Sequence, residues 1–276
     1  MKRLLLTTLL LLASTAWAGP FEDAIAAYNR KDYATALRLF RPMAEQGYSD
    51  AQSNLGLMYE EGKGVAQDYV EALKWYRLAA AQGQAQAQYN LGLMYDQGKG
   101  TGQDDVEALK WYRLAATQGQ AQAQYNLGLM YGQGKGVMQS YAEAVEWYRL
   151  AASQRQPMAQ YNLGLMYEKG KGVNQDYVEA AKWYTFAAMQ GLAPAQYNLG
   201  LMYDRRKGFA QDYAEAAKWY RRAAMQGHAP AQYNLGSIYG KGEGVQVDVF
   251  RAYLWFNLAA ANGDTGAVKA RDDAAS

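Results

Sequence analysis

Between residues 85 and 119 the apolar positions fall into two helical stripes. Ala87, Leu91, Met94 and Tyr95 recur at i, i+4, i+7 and i+8, the spacing of one helix face. Ala108, Trp111, Tyr112, Ala115 and Ala116 form the second stripe. Gly98, Lys99, Gly100 and Thr101 interrupt the pattern, with Gly98 placed to stop the first helix in a left-handed cap. Asp104, followed three residues later by Glu107, predicts a capping box at the start of the second helix, and Gly119 ends it. The segment therefore predicts a helix–loop–helix hairpin.

The hairpin repeats. Trp75, Trp111, Trp147, Trp183, Trp219 and Trp255 are each 36 residues apart, and AQYNLGLMY occurs four times unchanged, starting at Ala87, Ala123, Ala159 and Ala195. The cap pair recurs as Asp68/Glu71, Ser140/Glu143, Asp176/Glu179 and Asp212/Glu215. Six units follow: 48–83, 84–119, 120–155, 156–191, 192–227 and 228–263. Units of this length stack, because none buries its apolar face alone. Residues 19–47 contain Asp32-Tyr33-Ala34, which matches the opening of the second helix and predicts a shortened N-terminal capping hairpin. Residues 264–276 are polar and predict a short C-terminal cap or tail. No break in composition divides the stack, so it reads as one domain.

Every unit also places a glycine inside its first helix: Gly56, Gly92, Gly128, Gly164, Gly200 and Gly236. Such a glycine costs about 1 kcal/mol against alanine. A cost repeated six times predicts close helix approach, with the Ala115–Ala116 pair or Trp111 as the neighbour, and a tryptophan committed to the core.

The pattern A-x3-LG-x2-Y-x2-G-x-GV-x2-D-x3-A-x2-WY-x2-AA-x2-G is written in the first unit by Ala51, Leu55, Gly56, Tyr59, Gly62, Gly64, Val65, Asp68, Ala72, Trp75, Tyr76, Ala79, Ala80 and Gly83. It resembles the Sel1-like repeat, a sister of the tetratricopeptide repeat. The resemblance implies an all-α solenoid of antiparallel helix hairpins, a right-handed superhelix with a concave face, and a scaffold or adaptor role. Some units depart from the pattern. Arg155 replaces the glycine that ends the second helix and Pro157 follows. Arg206 replaces a loop glycine, Phe209 replaces the loop valine, Ser237-Ile238 replace Leu-Met, and no Glu stands three residues after Asp248. Arg155 and Arg206 are internal and open their junctions to a different local bend.

The first eighteen residues carry a different pattern. Lys2 and Arg3 precede an apolar run, Leu4 to Leu12, broken by Thr7 and Thr8, and Ala16-Trp17-Ala18 is a small-x-small cleavage site. This predicts a secretory signal peptide cut after Ala18 and a periplasmic or secreted protein. The run is shorter than the roughly 20 residues of a spanning helix, so no stable membrane insertion of the mature chain is expected. The full chain has 28 basic and 26 acidic residues. Loss of Lys2 and Arg3 leaves the two signs balanced, with no general electrostatic reason to bind nucleic acid or anionic lipid.

Candidate chemistry is sparse. The chain has no cysteine and one histidine, His228, which excludes cysteine nucleophiles and multi-histidine zinc sites within one chain. The GKG loops lack the GxxxxGK-Ser/Thr spacing of a phosphate loop. No serine opens an S-x-x-K motif, which counts against the β-lactam or cell-wall hydrolase activity described for cysteine-rich Sel1-like proteins. An envelope polysaccharide-assembly component is a second alternative. The expectation is a non-enzyme without cofactor or metal.

By the tetratricopeptide resemblance, the first helix of each hairpin lines the concave face. The residues beside its buried stripe form ladders: Asn54, Asn90, Asn126, Asn162, Asn198 and Asn234; Tyr89, Tyr125, Tyr161, Tyr197 and Tyr233; Leu93, Leu129, Leu165 and Leu201. Asparagine amides and tyrosine rings suit an extended protein segment or peptide, the expected partner. A basic cluster, Arg205, Arg206, Lys207, Arg221 and Arg222, is a second candidate surface.

Overall fold

The computed structural model describes residues 18–275, so the signal peptide expected over 1–18 lies outside the described residues except for Ala18. The described residues hold fifteen α-helices and no strand. They divide between Gln139 and Ser140 into two compact units.

The first unit contains α1 (Ala18–Asn29), α2 (Tyr33–Glu45), α3 (Ser49–Glu61), α4 (Tyr69–Ala81), α5 (Ala85–Gln97), α6 (Asp105–Thr117) and α7 (Ala121–Gln133). The second contains α8 (Tyr141–Ser153), α9 (Pro157–Lys169), α10 (Tyr177–Met189), α11 (Ala193–Asp204), α12 (Tyr213–Ala224), α13 (Ala229–Lys241), α14 (Val249–Ala261) and α15 (Thr265–Ala275). In both units each helix packs on its neighbours in the chain, the hairpin order of an α/α solenoid.

The caps explain why the helices start where they do. Asp104 Oδ1 accepts from the backbone N–H groups of Val106 and Glu107, at 3.0 Å each. The other half of the expected capping box does not form. The Asp104 N–H already donates to the Tyr95 carbonyl at 3.0 Å, and Glu107 turns instead to Lys110 and to the Trp111 indole N–H. Gly98 stops α5 with φ of 67°.

The helix-interior glycine does mark a close approach, but to a different neighbour. A Cβ on Gly92 would stand 2.6 Å from the ring of Tyr112, and Gly56, Gly164 and Gly200 meet Tyr76, Tyr184 and Tyr220 in the same way. Gly236 faces Phe256. The fully buried aromatic is thus the residue after the tryptophan. One residue is about 100° of helix rotation, which carries Trp75, Trp111 and Trp183 round to a half-buried position. The tryptophans still pack on the core's edge: Trp75 and Trp255 lie against core clusters, and Trp219 is buried within one.

Arg155 and Arg206 keep the left-handed φ of the glycines they replace, at 65° and 57°, although α11 stops one residue early, with Arg205 as its C-cap. At the first of these, Arg155 N–H donates to Ala152 O at 3.0 Å and Gln156 N–H to Ala151 O at 3.2 Å, the same bonds that Gly119 and Gln120 make after α6. Hydrogen bonding hence holds the turn, and the side chain bears the strain.

Two stability measurements follow. Gly92→Ala gains helix propensity but drives a methyl into the Tyr112 ring, so a net loss of about 1–3 kcal/mol is expected in urea unfolding. Arg155→Gly relieves a left-handed arginine that costs about 1–2 kcal/mol, less the extra chain entropy of glycine, so a gain of about 0.5–1 kcal/mol is expected.

Candidate interaction face

The first helices carry the ladder residues. Along α5, Ala87, Gln88, Leu91 and Gly92 are buried, Tyr89, Asn90 and Leu93 are half-buried, and Gln86 and Gln97 are exposed. The same exposure pattern holds for Tyr125, Asn126 and Leu129 on α7, for Tyr161, Asn162 and Leu165 on α9, for Tyr197, Asn198 and Leu201 on α11, and for Tyr233 and Asn234 on α13. Asn54 on α3 is also half-buried, and its amide donates to the Asp50 carbonyl at 2.8 Å.

The ladder residues lie close to one another. In the first unit the Asn126 amide stands within reach of the hydroxyls of both Tyr89 and Tyr112, and Asn90 of Tyr76. In the second, Asn198 faces Tyr161 and Tyr184, and Asn234 faces Tyr197 and Tyr220. These asparagines thereby approach tyrosines of the repeat before their own. The paired rings lie close, with centroids 5.9 Å apart for Tyr89 and Tyr112 and 5.8 Å apart for Tyr161 and Tyr184.

A carboxylate completes the arrangement. The Tyr76 hydroxyl donates to Glu60 at 2.9 Å, Tyr184 to Glu168 at 2.7 Å and Tyr220 to Asp204 at 3.0 Å. A loop lysine from the following repeat neutralises it: Lys135 reaches Asp96 at 2.8 Å, and Lys207 reaches Glu168 at 3.4 Å. Burial, with the carboxylate's charge added to it, pushes the Tyr76, Tyr112, Tyr184 and Tyr220 phenols far above their ordinary range. They remain protonated donors, unsuited to act as bases. His228 is an N-cap: its Nδ1 accepts from the Ala231 N–H at 3.3 Å and its ring lies 4.7 Å from that of Tyr197. Burial lowers its pKa, which favours the neutral, accepting form.

The basic cluster is spread along one hairpin. Arg205 and Arg206 are exposed at its loop, while Lys207 pairs with Glu168 and lies over the Tyr177 ring at 5.0 Å. Arg221 and Arg222 sit in the last turn of α12. Arg221 donates to the Tyr239 hydroxyl, and Arg222 stacks on Trp219 at 4.3 Å.

One structural set escaped the sequence reading. Gln52, Gln88, Gln124, Gln160, Gln196 and Gln232 are each no more than 5% exposed. Gln160 Nε2 donates to the Ala152 carbonyl at 3.1 Å, and its Oε1 accepts from Gln190 at 2.8 Å. The pairs Gln88/Gln118 and Gln196/Gln226 repeat this bond. A partial signal was present, since this glutamine directly follows the buried alanine that opens the first-helix stripe in every unit.

Among the described residues no group of three or more His, Cys, Asp or Glu is placed to hold a metal ion, and no helix is long and apolar enough to cross a membrane. Sel1 repeats match residues 30–48, 49–84, 85–120, 121–155, 157–192, 193–228 and 229–264. The chain belongs to the Sel1-repeat family. This Sel1-repeat chain is 35% identical to a Sel1 repeat protein from Oxalobacter formigenes, over 88% of its own length and 97% of that protein's, with a TM-score of 0.77. It is 36% identical to a protective antigen of uropathogenic Escherichia coli strains that displays an SLR fold, over 90% of its own length with a TM-score of 0.72. The chain spans 62% of that antigen's length. No curated protein matches it. The Sel1-repeat fold is generally a non-catalytic scaffold for protein–protein contacts.

Asn198→Ala removes the amide that faces Tyr161 and Tyr184 and leaves the part-buried Tyr161 hydroxyl without it, while Tyr184 keeps its bond to Glu168. A loss of about 1–3 kcal/mol is expected by urea unfolding, whereas Gln97→Ala, at an exposed position, is expected to stay within about 0.5 kcal/mol of the parent.

Proposed function

We propose that the protein is an exported scaffold that binds a protein or peptide along the concave face implied for its first helices. The observation that supports this reading is the ladder itself. In each compact unit, half-exposed Tyr, Asn and Leu side chains recur on successive first helices. They offer ring faces, amide groups and apolar area with little left to order on binding, because each side chain is already half-buried against its neighbours. Pre-ordered side chains reduce the entropy lost on association. Export rests on the leader pattern of residues 1–18, and the proposal places the mature protein in the periplasm or outside the cell.

The asparagines serve the stack as well as the face, so the test uses the leucines. The mature chain and a Leu93→Lys/Leu129→Lys/Leu165→Lys/Leu201→Lys variant, matched for helicity by circular dichroism, are used to capture partners from envelope extract and culture fluid. A defined protein held by the parent and lost from the variant is the expected result. Equal capture by both would move binding off this face. N-terminal sequencing of the exported protein is expected to begin at Gly19, and retention in the cytoplasm would remove the export half of the proposal.

A further inference from the structure

The repeats provide an internal reference against which one site stands out. On the outer side of a standard second helix, the third residue is glutamate and the sixth is lysine, and they pair: Glu71–Lys74 and Glu107–Lys110 in the first unit, Glu179–Lys182 and Glu215–Lys218 in the second. Beside each pair lies a tyrosine on the first helix of the same hairpin. In most repeats that tyrosine accepts from an arginine of the previous hairpin, as Tyr95 does from Arg77 at 2.6 Å and Tyr167 from Arg149 at 2.8 Å. The standard groove therefore holds an arginine, a glutamate and a lysine around a tyrosine hydroxyl, and the glutamate offsets the cations.

On α14 the same two positions are Arg251 and Leu254. The arginine of the previous hairpin is still there: Arg221 donates to the Tyr239 hydroxyl. Two guanidinium groups now flank one ring, 6.0 Å and 5.5 Å from its centroid. The nearby acid is Asp248, which contacts Arg251 Nε at 3.3 Å but is already the N-cap of α14, accepting the Arg251 N–H at 2.8 Å. Arg251 keeps a side-chain exposure of 60%. The lysine's replacement completes an apolar wall, with Leu254 42% exposed and Leu258 45% exposed beside Trp255. Together Arg221, Tyr239, Arg251, Leu254, Trp255 and Leu258 line a cavity of about 390 Å³. Packing of the terminal helix α15 does not account for the change, because Arg251, Leu254 and Leu258 all stay exposed with α15 in place.

We infer that this groove is a second binding site, specific for an acidic segment of a partner protein in which an apolar side chain stands two residues from a carboxylate. The charge excess calls for the carboxylate, held by Arg251 and the free side of Arg221. The leucine wall calls for the apolar neighbour. The spacing agrees: residues three and four apart on a helix present side chains about 5–6 Å apart, and alternate side chains of an extended chain are roughly 6.6 Å apart at about 3.3 Å per residue. The site lies on a second helix, so it is independent of the ladder face.

The test is fluorescence anisotropy of the full mature chain with a labelled peptide, Gly-Asp-Glu-Phe-Asp-Glu-Leu-Gly. Two control peptides carry serine for the apolar residues or amides for the acids. Arg251→Glu/Leu254→Lys restores the pair that four other repeats carry, and Arg251→Gln alone serves if the double variant loses helicity. One-to-one binding of the parent peptide is expected, at least tenfold weaker in either variant and with either control, and weakened by salt. Equal binding of the serine control would make this a general anion surface, and equal binding of the amide control a plain apolar contact. Either result overturns the inference, as does binding unchanged in the variants or no binding at millimolar peptide.

Discussion

The contact on which this structure depends is the one between a helical glycine and the ring of a tyrosine on the partner helix. A glycine in mid-helix is unfavourable by about 1 kcal/mol, and the chain repeats it in every hairpin. What it permits is a tyrosine buried to 0% exposure at Tyr76, Tyr112, Tyr184 and Tyr220, lying flat against a helix backbone where no other residue leaves room. An aromatic ring of that size is the largest fully buried side chain of its hairpin. It also fixes the hydroxyl at the hairpin's edge, beside the carboxylate of its own repeat and the asparagine of the next. One steric allowance thereby sets both the packing within a hairpin and the polar link between hairpins. The last repeat illustrates the separation of these roles: Phe256 fills the place against Gly236 without a hydroxyl, and there α15 takes over from a further repeat.

The polar links have consequences for function. A solenoid whose repeats touch only their neighbours has stability built from local terms, and here polar side chains cross between repeats as well. A buried glutamine donates to the second helix of the hairpin before it, as Gln88 does to the Ala80 carbonyl at 3.2 Å, and a loop lysine reaches a carboxylate of the preceding repeat, as Lys135 reaches Asp96. Ladder side chains on the first-helix face are half-buried before any partner arrives. Ring faces, leucine methyls and asparagine amides share the part of that face left exposed.

Much of this was legible in the sequence, and the reasons for the gaps are physical. The 36-residue interval of the tryptophans, the Asp caps and the left-handed glycines each follow from a local rule, and the helices fall where those rules put them. The identity of the buried aromatic did not follow, because Trp111 and Tyr112 are adjacent and both lie near the edge of the apolar stripe. A turn of 100° decides which points inward, and that depends on the partner helix. Gln88 was passed over because a polar residue between Ala87 and Tyr89 reads as surface. Its burial is explained only by the Ala80 carbonyl and Gln118 amide that a neighbouring helix end brings to it. The nearness of Asn126 to Tyr89 and Tyr112 was likewise not legible, because no local spacing announces a neighbour in the preceding repeat.

Near-identical repeats also sharpen the meaning of a difference. In a chain without internal copies, an exposed arginine beside a leucine is an ordinary surface feature. In this chain the same two positions hold an ion pair in four hairpins, so Arg251 and Leu254 can be compared with residues that share their backbone geometry and their tyrosine neighbour. Arg155 and Arg206 give a different result in the same comparison. They occupy left-handed positions held by glycine elsewhere and keep that sign of φ. Arg206 stands exposed at its loop, and Arg155 borders a cavity of about 450 Å³ with Trp183, Phe186 and Met189, where no second cation joins it. A departure that keeps the left-handed turn is tolerated by the fold. One that reverses a charge and supplies the apolar wall beside it changes what the surface is able to hold.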